Sequence, residues 1–192
     1  KRFDNLYVLA ASQTRDKDAL TQEGVGKVLK DLVADGFDFV ICDSPAGIEK
    51  GAFLAMYFAD RAVVVVNPEV SSVRDSDRII GLLDSKTHKA ESGQSVPAFL
   101  LLTRYSPPRV ETGEMLSITD VEEVLGLKAI GVVPESGDVL NASNKGEPVI
   151  LDTESAAGQA YEDAVSRILG EERPMRFTTV EKKGFFSKLF GG

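Results

Sequence analysis

The chain of 192 residues is 43% hydrophobic and 27% charged with a net charge of −8, long enough for one well-buried domain and poorly suited to broad binding of nucleic acid. One Cys and one His leave no disulfide framework and no His/Cys metal cluster. No stretch approaches the roughly twenty apolar residues of a spanning helix, no signal peptide is visible, and the lack of disulfide pairing fits a reducing compartment.

The chain opens Lys1-Arg2-Phe3-Asp4-Asn5, without Met, and runs almost directly into the apolar stretch Leu6 to Ala10. That stretch predicts a short strand, and the abrupt start reads as the middle of a domain. The polar segment Ser12-Gln13-Thr14-Arg15-Asp16-Lys17-Asp18 follows. Val25, Val28, Leu29, Leu32 and Val33 then recur at helical spacing, predicting a helix from about Thr21 to Ala34 that Asp35-Gly36 stops. Phe37 to Asp43 is a nearly unbroken apolar run closed by the turn Ser44-Pro45-Ala46-Gly47, the pattern of a strand buried on both faces of a parallel sheet. Cys42 inside it is expected to be a buried, inert thiol. Ile48 to Ala59 predicts a largely buried helix, and Ala62 to Val66, with four consecutive valines, another buried parallel strand.

Asn67-Pro68-Glu69 turns the chain into a helix from Val70 to about Leu83, with Val73, Ile80 and Leu83 inward. His88 lies in a polar stretch and reads as a solvated loop residue. Ala98 to Thr103 predicts a strand, Pro107-Pro108 a loop, and Ser117-Ile118-Thr119-Asp120 a helix start of capping-box type. Ala129 to Val133 is the last strand, ended by Pro134. A short helix to about Asn144 and an amphipathic helix from Ser155 to Leu169 complete the pattern. Strands alternating with helices in this way predict an α/β fold, a doubly wound and mostly parallel sheet, over residues 1–169. Residues 170–180 form a charged, Pro-containing linker, and residues 181–192 a separate piece.

Asp43 stands at the carboxyl end of its predicted strand, where open α/β sheets bind ligands; an Asp there also suits capping of the next turn. As a Walker-B-type carboxylate it would hold Mg²⁺ beside the phosphates of a nucleotide. Those phosphates need a loop of the form G-x-x-x-x-G-K-[ST]. Gly24-Val25-Gly26-Lys27-Val28 is the one candidate, and it fails. Thr21 replaces the first glycine, Val28 replaces the magnesium-binding hydroxyl, and its apolar residues already belong to a helix pattern.

The tail has its own physics. At about 100° per residue, Phe185, Phe186, Leu189 and Phe190 fall within an arc of roughly 140°, with Lys182 one turn earlier and Lys183 and Lys188 flanking it. Residues 181–192 carry a net +2, leaving −10 on residues 1–180. A basic amphipathic tail on an acidic body suits an interfacial helix drawn to anionic lipid; a small apolar face also suits docking on its own domain or a partner. Each large side chain contributes about 1.5–3 kcal/mol when fully buried, against about 1–2 kcal/mol per residue for ordering the helix, so one tail holds weakly. Two tails on one dimer gain a factor of about 10²–10⁴ through effective concentration.

Taken together, Ser12–Asp18, Asp43-Ser44-Pro45-Ala46-Gly47-Ile48-Glu49, Asn67–Arg78 and Gly184–Phe190 resemble the bacterial MinD family, the membrane-associated septum-positioning ATPases grouped with ParA and the nitrogenase iron protein by a deviant Walker A loop. The resemblance runs along essentially the whole chain. It implies a P-loop NTPase-like fold without its N-terminal strand and without the loop K-G-G-x-G-K-[ST], both missing from this sequence. It further implies ATP and Mg²⁺ as cofactors, Asp43 at the Mg²⁺ site, and Gly47 near the γ-phosphate in a second switch. Thr103, Arg104, Pro134 and Glu135 would form the adenine pocket, and Glu69 would reach the ribose of the partner subunit in an ATP-bound homodimer. Ordinary strand exits and a dipole-favoured helix-start carboxylate are the plainer uses of those positions.

Ser71, Arg74, Asp75 and Asp77 would contact a MinC-like inhibitor and a MinE-like regulator, where a solvated helix face is the plainer use. Lys182, Lys183, Phe185, Phe186, Lys188, Leu189 and Phe190 would contact an anionic membrane, making the protein cytoplasmic and reversibly peripheral on the inner face of the cell membrane. Lacking phosphate loop and lysine, this chain alone is expected not to hydrolyse ATP. The competing readings are a flagellar regulator of the FlhG type and a non-catalytic membrane-binding fragment. A ParA-type DNA segregation ATPase is disfavoured by the −10 body.

Overall fold

The computed structural model describes residues 3–10, 20–45 and 47–179, and the chain divides into two compact units, Lys1–Phe58 and Ala59–Gly192.

The second unit is built on three parallel strands in the order β1 (Ala62–Val66), β2 (Ala98–Tyr105), β3 (Ala129–Pro134). Val64 pairs with Leu100 and Val66 with Leu102, so all four side chains share one face. That face is covered by the helix Val70–Ser85, which packs on β1 and on the helix Ile118–Leu125. The opposite face of β2 and β3 is covered by the helix Ala156–Ile168. There Leu101 and Val133 meet Ala157, Ala160 and Ala164, with Val139, Val149, Tyr161 and Phe177 packed around them. Small residues let the helix approach closely: a Cβ on Gly131 would stand 2.8 Å from the Ala164 Cβ.

The remaining helices of this unit are His88–Glu91, Pro107–Glu111 and Gly137–Lys145, with a 3-10 turn at Val149–Leu151. In chain order the helices among the described residues are thus α1 (Gln22–Ala34), α2 (Lys50–Tyr57), α3 (Val70–Ser85), α4 (His88–Glu91), α5 (Pro107–Glu111), α6 (Ile118–Leu125), α7 (Gly137–Lys145) and α8 (Ala156–Ile168). The capping box of α6 is complete: the Asp120 N–H donates to Ser117 Oγ at 3.1 Å and the Ser117 N–H to Asp120 Oδ2 at 2.9 Å. The Pro107-Pro108 loop contains α5, because proline at a first helical position gives up an N–H that has no intrahelical partner. His88 is exposed, in the first turn of α4.

In the first unit Gly36 ends α1 with φ +88°, where the sequence predicts a stop, and the Thr21 side chain caps its start by accepting from the Gly24 N–H. α2 is shorter than the expected Ile48–Ala59 and buries Ala52, Leu54 and Tyr57.

Two expectations fail here. Leu6–Ala10 and Phe37–Asp43 form no strand, and Val8, Leu9 and Ile41 are 84%, 78% and 89% exposed. Cys42 is exposed rather than buried, with partial desolvation raising its thiol pKa. An apolar run becomes a buried strand only when neighbouring strands satisfy its N–H and C=O groups, and neither run has a ladder partner among the described residues. β1 is corrected in a milder way. It was expected to be buried on both faces, but Val63 and Val65 are exposed because α8 crosses β3 and leaves that face of β1 open.

Residues 171–177, expected as a linker, run back along α8. Arg167 donates to the carbonyls of Ile130, Arg173 and Pro174 at 2.6, 3.1 and 2.7 Å. Arg176 donates to the buried carboxylate of Asp163 at 2.6 Å and to Gln159 Oε1 at 2.8 Å. That contact raises the Arg176 pKa further above its ordinary value.

Candidate functional site

Parallel strands deliver their carboxyl ends to one edge of a sheet, and the loops leaving them form the crevice where α/β folds bind ligands. In the second unit that edge gathers Asn67-Pro68-Glu69 after β1, Thr103 and Arg104 at the end of β2, and Pro134-Glu135 at the end of β3. The Thr103 hydroxyl donates to Asn67 Oδ1 at 2.9 Å, and the Asn67 N–H donates to Ser72 Oγ in the first turn of α3 at 3.2 Å. The Glu135 N–H donates to the Tyr105 carbonyl at 2.9 Å, joining the ends of β2 and β3. Sequence reasoning passed over Asn67 and Ser72. The available signal was an Asn-Pro turn directly after a strand, followed by serines opening a helix.

Arg104 is the unusual residue. The register between β2 and β3 shifts between Leu102 and Tyr105, and within that irregularity Arg104 takes φ +55°. A non-glycine residue held there costs about 1–2 kcal/mol, and such strain collects at ligand sites. Its guanidinium is exposed and stands 3.8 Å from Glu135 Oε1, a contact too solvated to add much stability. The residue types at this edge have the chemistry to hold a purine: a guanidinium stacks on aromatic faces, and an Asn amide pairs with the N6–N7 edge of adenine.

Glu69 is the N-cap residue of α3, exposed, and makes no side-chain capping hydrogen bond. Ser71, Arg74, Asp75 and Asp77 are all exposed on α3, opposite the buried Val73, Ser76 and Leu83. Arg78 reaches Asp75 at 3.8 Å with both side chains largely exposed, so this face is charged and open.

In the first unit Asp43 is exposed in an irregular segment. Ser44 Oγ donates to the Pro45 carbonyl at 3.1 Å, and Gly47 has φ +95° with open space where a Cβ would stand. That backbone is one glycine adopts freely. Among the described residues no group of three His, Cys, Asp or Glu side chains is placed to hold a metal. A single carboxylate suits Mg²⁺, which takes one or two carboxylates along with phosphate oxygens and water. Lys27 and its glycines lie inside α1. The N–H groups there are committed to the helix, and a Cβ on Gly26 would stand 2.7 Å from the Phe58 ring. The segment is packing and cannot cradle phosphate. Ala46 and the membrane candidates Lys182, Lys183, Phe185, Phe186, Lys188, Leu189 and Phe190 lie outside the described residues.

Comparison with known proteins decides the family. Over 193 aligned residues the whole chain is 63% identical to the septum site-determining protein MinD of Escherichia coli K12, of which it spans 72%. The chain belongs to the MinD family. That settles the choice against the flagellar-regulator and ParA-type readings, and it makes the chain part of a family of cell-division ATPases that determine the septum site. No protein-family model matches it.

Among solved structures, MinD in the MinC:MinD cell division protein complex of Aquifex aeolicus is 39% identical with a TM-score of 0.73, over 81% of this chain and 62% of that one. The Pyrococcus horikoshii MinD solved with Mg-ADP shares the fold, with a TM-score of 0.64 at 23% identity over 77% of this chain and 56% of that one. The MinD likeness upholds the α/β, parallel, P-loop NTPase-like fold class.

Proposed function

We propose that this chain supplies the adenosine-binding and effector-facing parts of a MinD-type ATP switch. Thr103, Arg104, Pro134 and Glu135, joined by Asn67, would hold the adenine. Asp43 would hold Mg²⁺, with Gly47 near the terminal phosphate, and Glu69 would reach a partner subunit's ribose. The strand-end positions of the first set and the carboxylate chemistry of Asp43 support this reading. No phosphate loop occurs among the 192 residues, so the chain by itself should not turn over ATP.

Nucleotide-dependent dimerisation would pair two amphipathic tails, giving a reversible attachment to anionic membrane from a cytoplasmic state. Among the described residues no helix is long and apolar enough to cross a membrane. The open α3 face with Ser71, Arg74, Asp75 and Asp77 is the proposed seat of the MinC-like inhibitor and the MinE-like regulator.

The single observation that carries this reading is the convergence of Asn67, Thr103, Arg104 and Glu135 at the ends of three parallel strands in a chain of this family. The test joins the sequence to a family phosphate loop and measures co-sedimentation with anionic liposomes. Binding in ATP and release in ADP is the expected result; equal binding in both would sink the switch.

A further inference from the structure

On the α8 side of the second unit an apolar hollow of about 310 Å³ opens between the 3-10 turn and α8, lined by Pro148, Val149, Ile150, Tyr161 and Val165. Ile150 and Val165 are 39% and 45% exposed, and Leu169 continues the α8 side of the stripe at 59%. Nothing in the site described above uses this groove.

The course of the chain indicates what fills it. Arg167 and Arg176 tie residues 173–176 back along α8, and Phe177 seats in the same cluster as Val149 and Tyr161. The tail is therefore released beside the groove. Three residues separate Phe177 from Glu181, and the four Cα–Cα steps reach at most about 14 Å. The apolar side chains from Phe185 to Phe190 span about 7.5 Å of helix, and the α8 wall rises about 6 Å from Tyr161 to Val165 and about 12 Å to Leu169. Charge agrees as well. Exposed Glu147 and Glu162 adjoin the groove residues in sequence, while the tail brings Lys182, Lys183 and Lys188 and a net +2.

We propose that residues 181–192 lie in this groove as an amphipathic helix when the protein is off the membrane, so that groove and lipid compete for one apolar face. The inference rests on the reading of the tail as an amphipathic membrane helix. The short tether makes the contact intramolecular, at an effective concentration that lets a weak apolar contact hold. If the groove holds the tail most of the time, apparent lipid affinity is reduced by the fraction left free.

The test uses the full chain and phosphatidylglycerol-containing vesicles. Ile150→Ser with Val165→Ser, both at exposed positions, should raise vesicle affinity about threefold to tenfold. In a Cys42→Ser background, a nitroxide on Ser187→Cys should broaden the amide signals of Val149, Ile150 and Val165, and vesicles should abolish the broadening. Unchanged vesicle affinity in the double variant, or absent broadening, overturns the proposal. Broadening seen only between differently labelled copies also overturns it, since a second chain would then occupy the groove. A chain ending at Val180 that keeps full vesicle affinity would instead defeat the reading of the tail itself, a result distinct from either.

Discussion

Val64–Val66 and Val40–Cys42 are both short apolar runs and end up in opposite states. The first pairs residue by residue with β2 and buries Val64 and Val66 to 7% and 1% exposure. The second has no ladder partner among the described residues and leaves Ile41 at 89%. Hydrophobicity marks a segment for burial, but hydrogen-bonding neighbours decide whether it becomes a strand.

Glycine substitutions probe that difference most strongly. In the second unit a Cβ on Gly158 would collide with the backbone carbonyl of Asp152 and stand 2.7 Å from that of Val149. Backbone cannot swing aside, so Gly158→Ala should cost about 3 kcal/mol by urea denaturation. Gly26→Ala in the first unit meets only the Phe58 ring and should cost under about 1 kcal/mol, since the gain in helix propensity offsets part of the clash. Equal costs would mean the two units are packed alike.

Next come the runs themselves. Val66→Ala should lose about 1.5–3 kcal/mol, whereas Ile41→Ala in this chain should stay within about 0.5 kcal/mol. Amide exchange should follow the same division, slow at Val64–Val66 and fast at Val40–Cys42. A protected Ile41 would break the comparison by revealing a partner strand.

Arg176→Ala should cost about 1.5 kcal/mol, because it strips the buried Asp163 carboxylate of its charged donor. The smallest effect lies at α6. The hydroxyl and then the N–H of Ser117 hold the Asp120 carboxyl below its ordinary range. Since the folded pKa is the lower one, this contribution is present above the unfolded value of about 4 and is lost as pH falls through the folded one. Asp120→Asn should remove that pH dependence from helix stability, measured by circular dichroism.

What was legible in the sequence was local. The valine run of β1, the Ser117–Asp120 box, the Asp35-Gly36 stop and the spacing of α1, α3 and α8 each announce themselves within a few residues. What stayed hidden depends on distant chain. The left-handed turn at Arg104 arises from a register shift between β2 and β3, and the Asn67–Thr103 hydrogen bond joins residues 36 apart. The failure at Phe37–Asp43 has the same origin, a strand pattern whose partners no local signal supplies. Of the candidate site, the strand-end positions were readable, while the contacts that hold them depend on pairing the sequence does not display.

The strap of residues 171–177 on α8 has a mechanical consequence. Because Arg167 and Arg176 clamp it, the chain follows a fixed path past the end of α8 as far as Phe177. If the proposed tail anchors the protein to a bilayer, a body moored this close to it would have little room to tumble, and a pull on the anchor would load the Arg176–Asp163 pair before it reached the sheet.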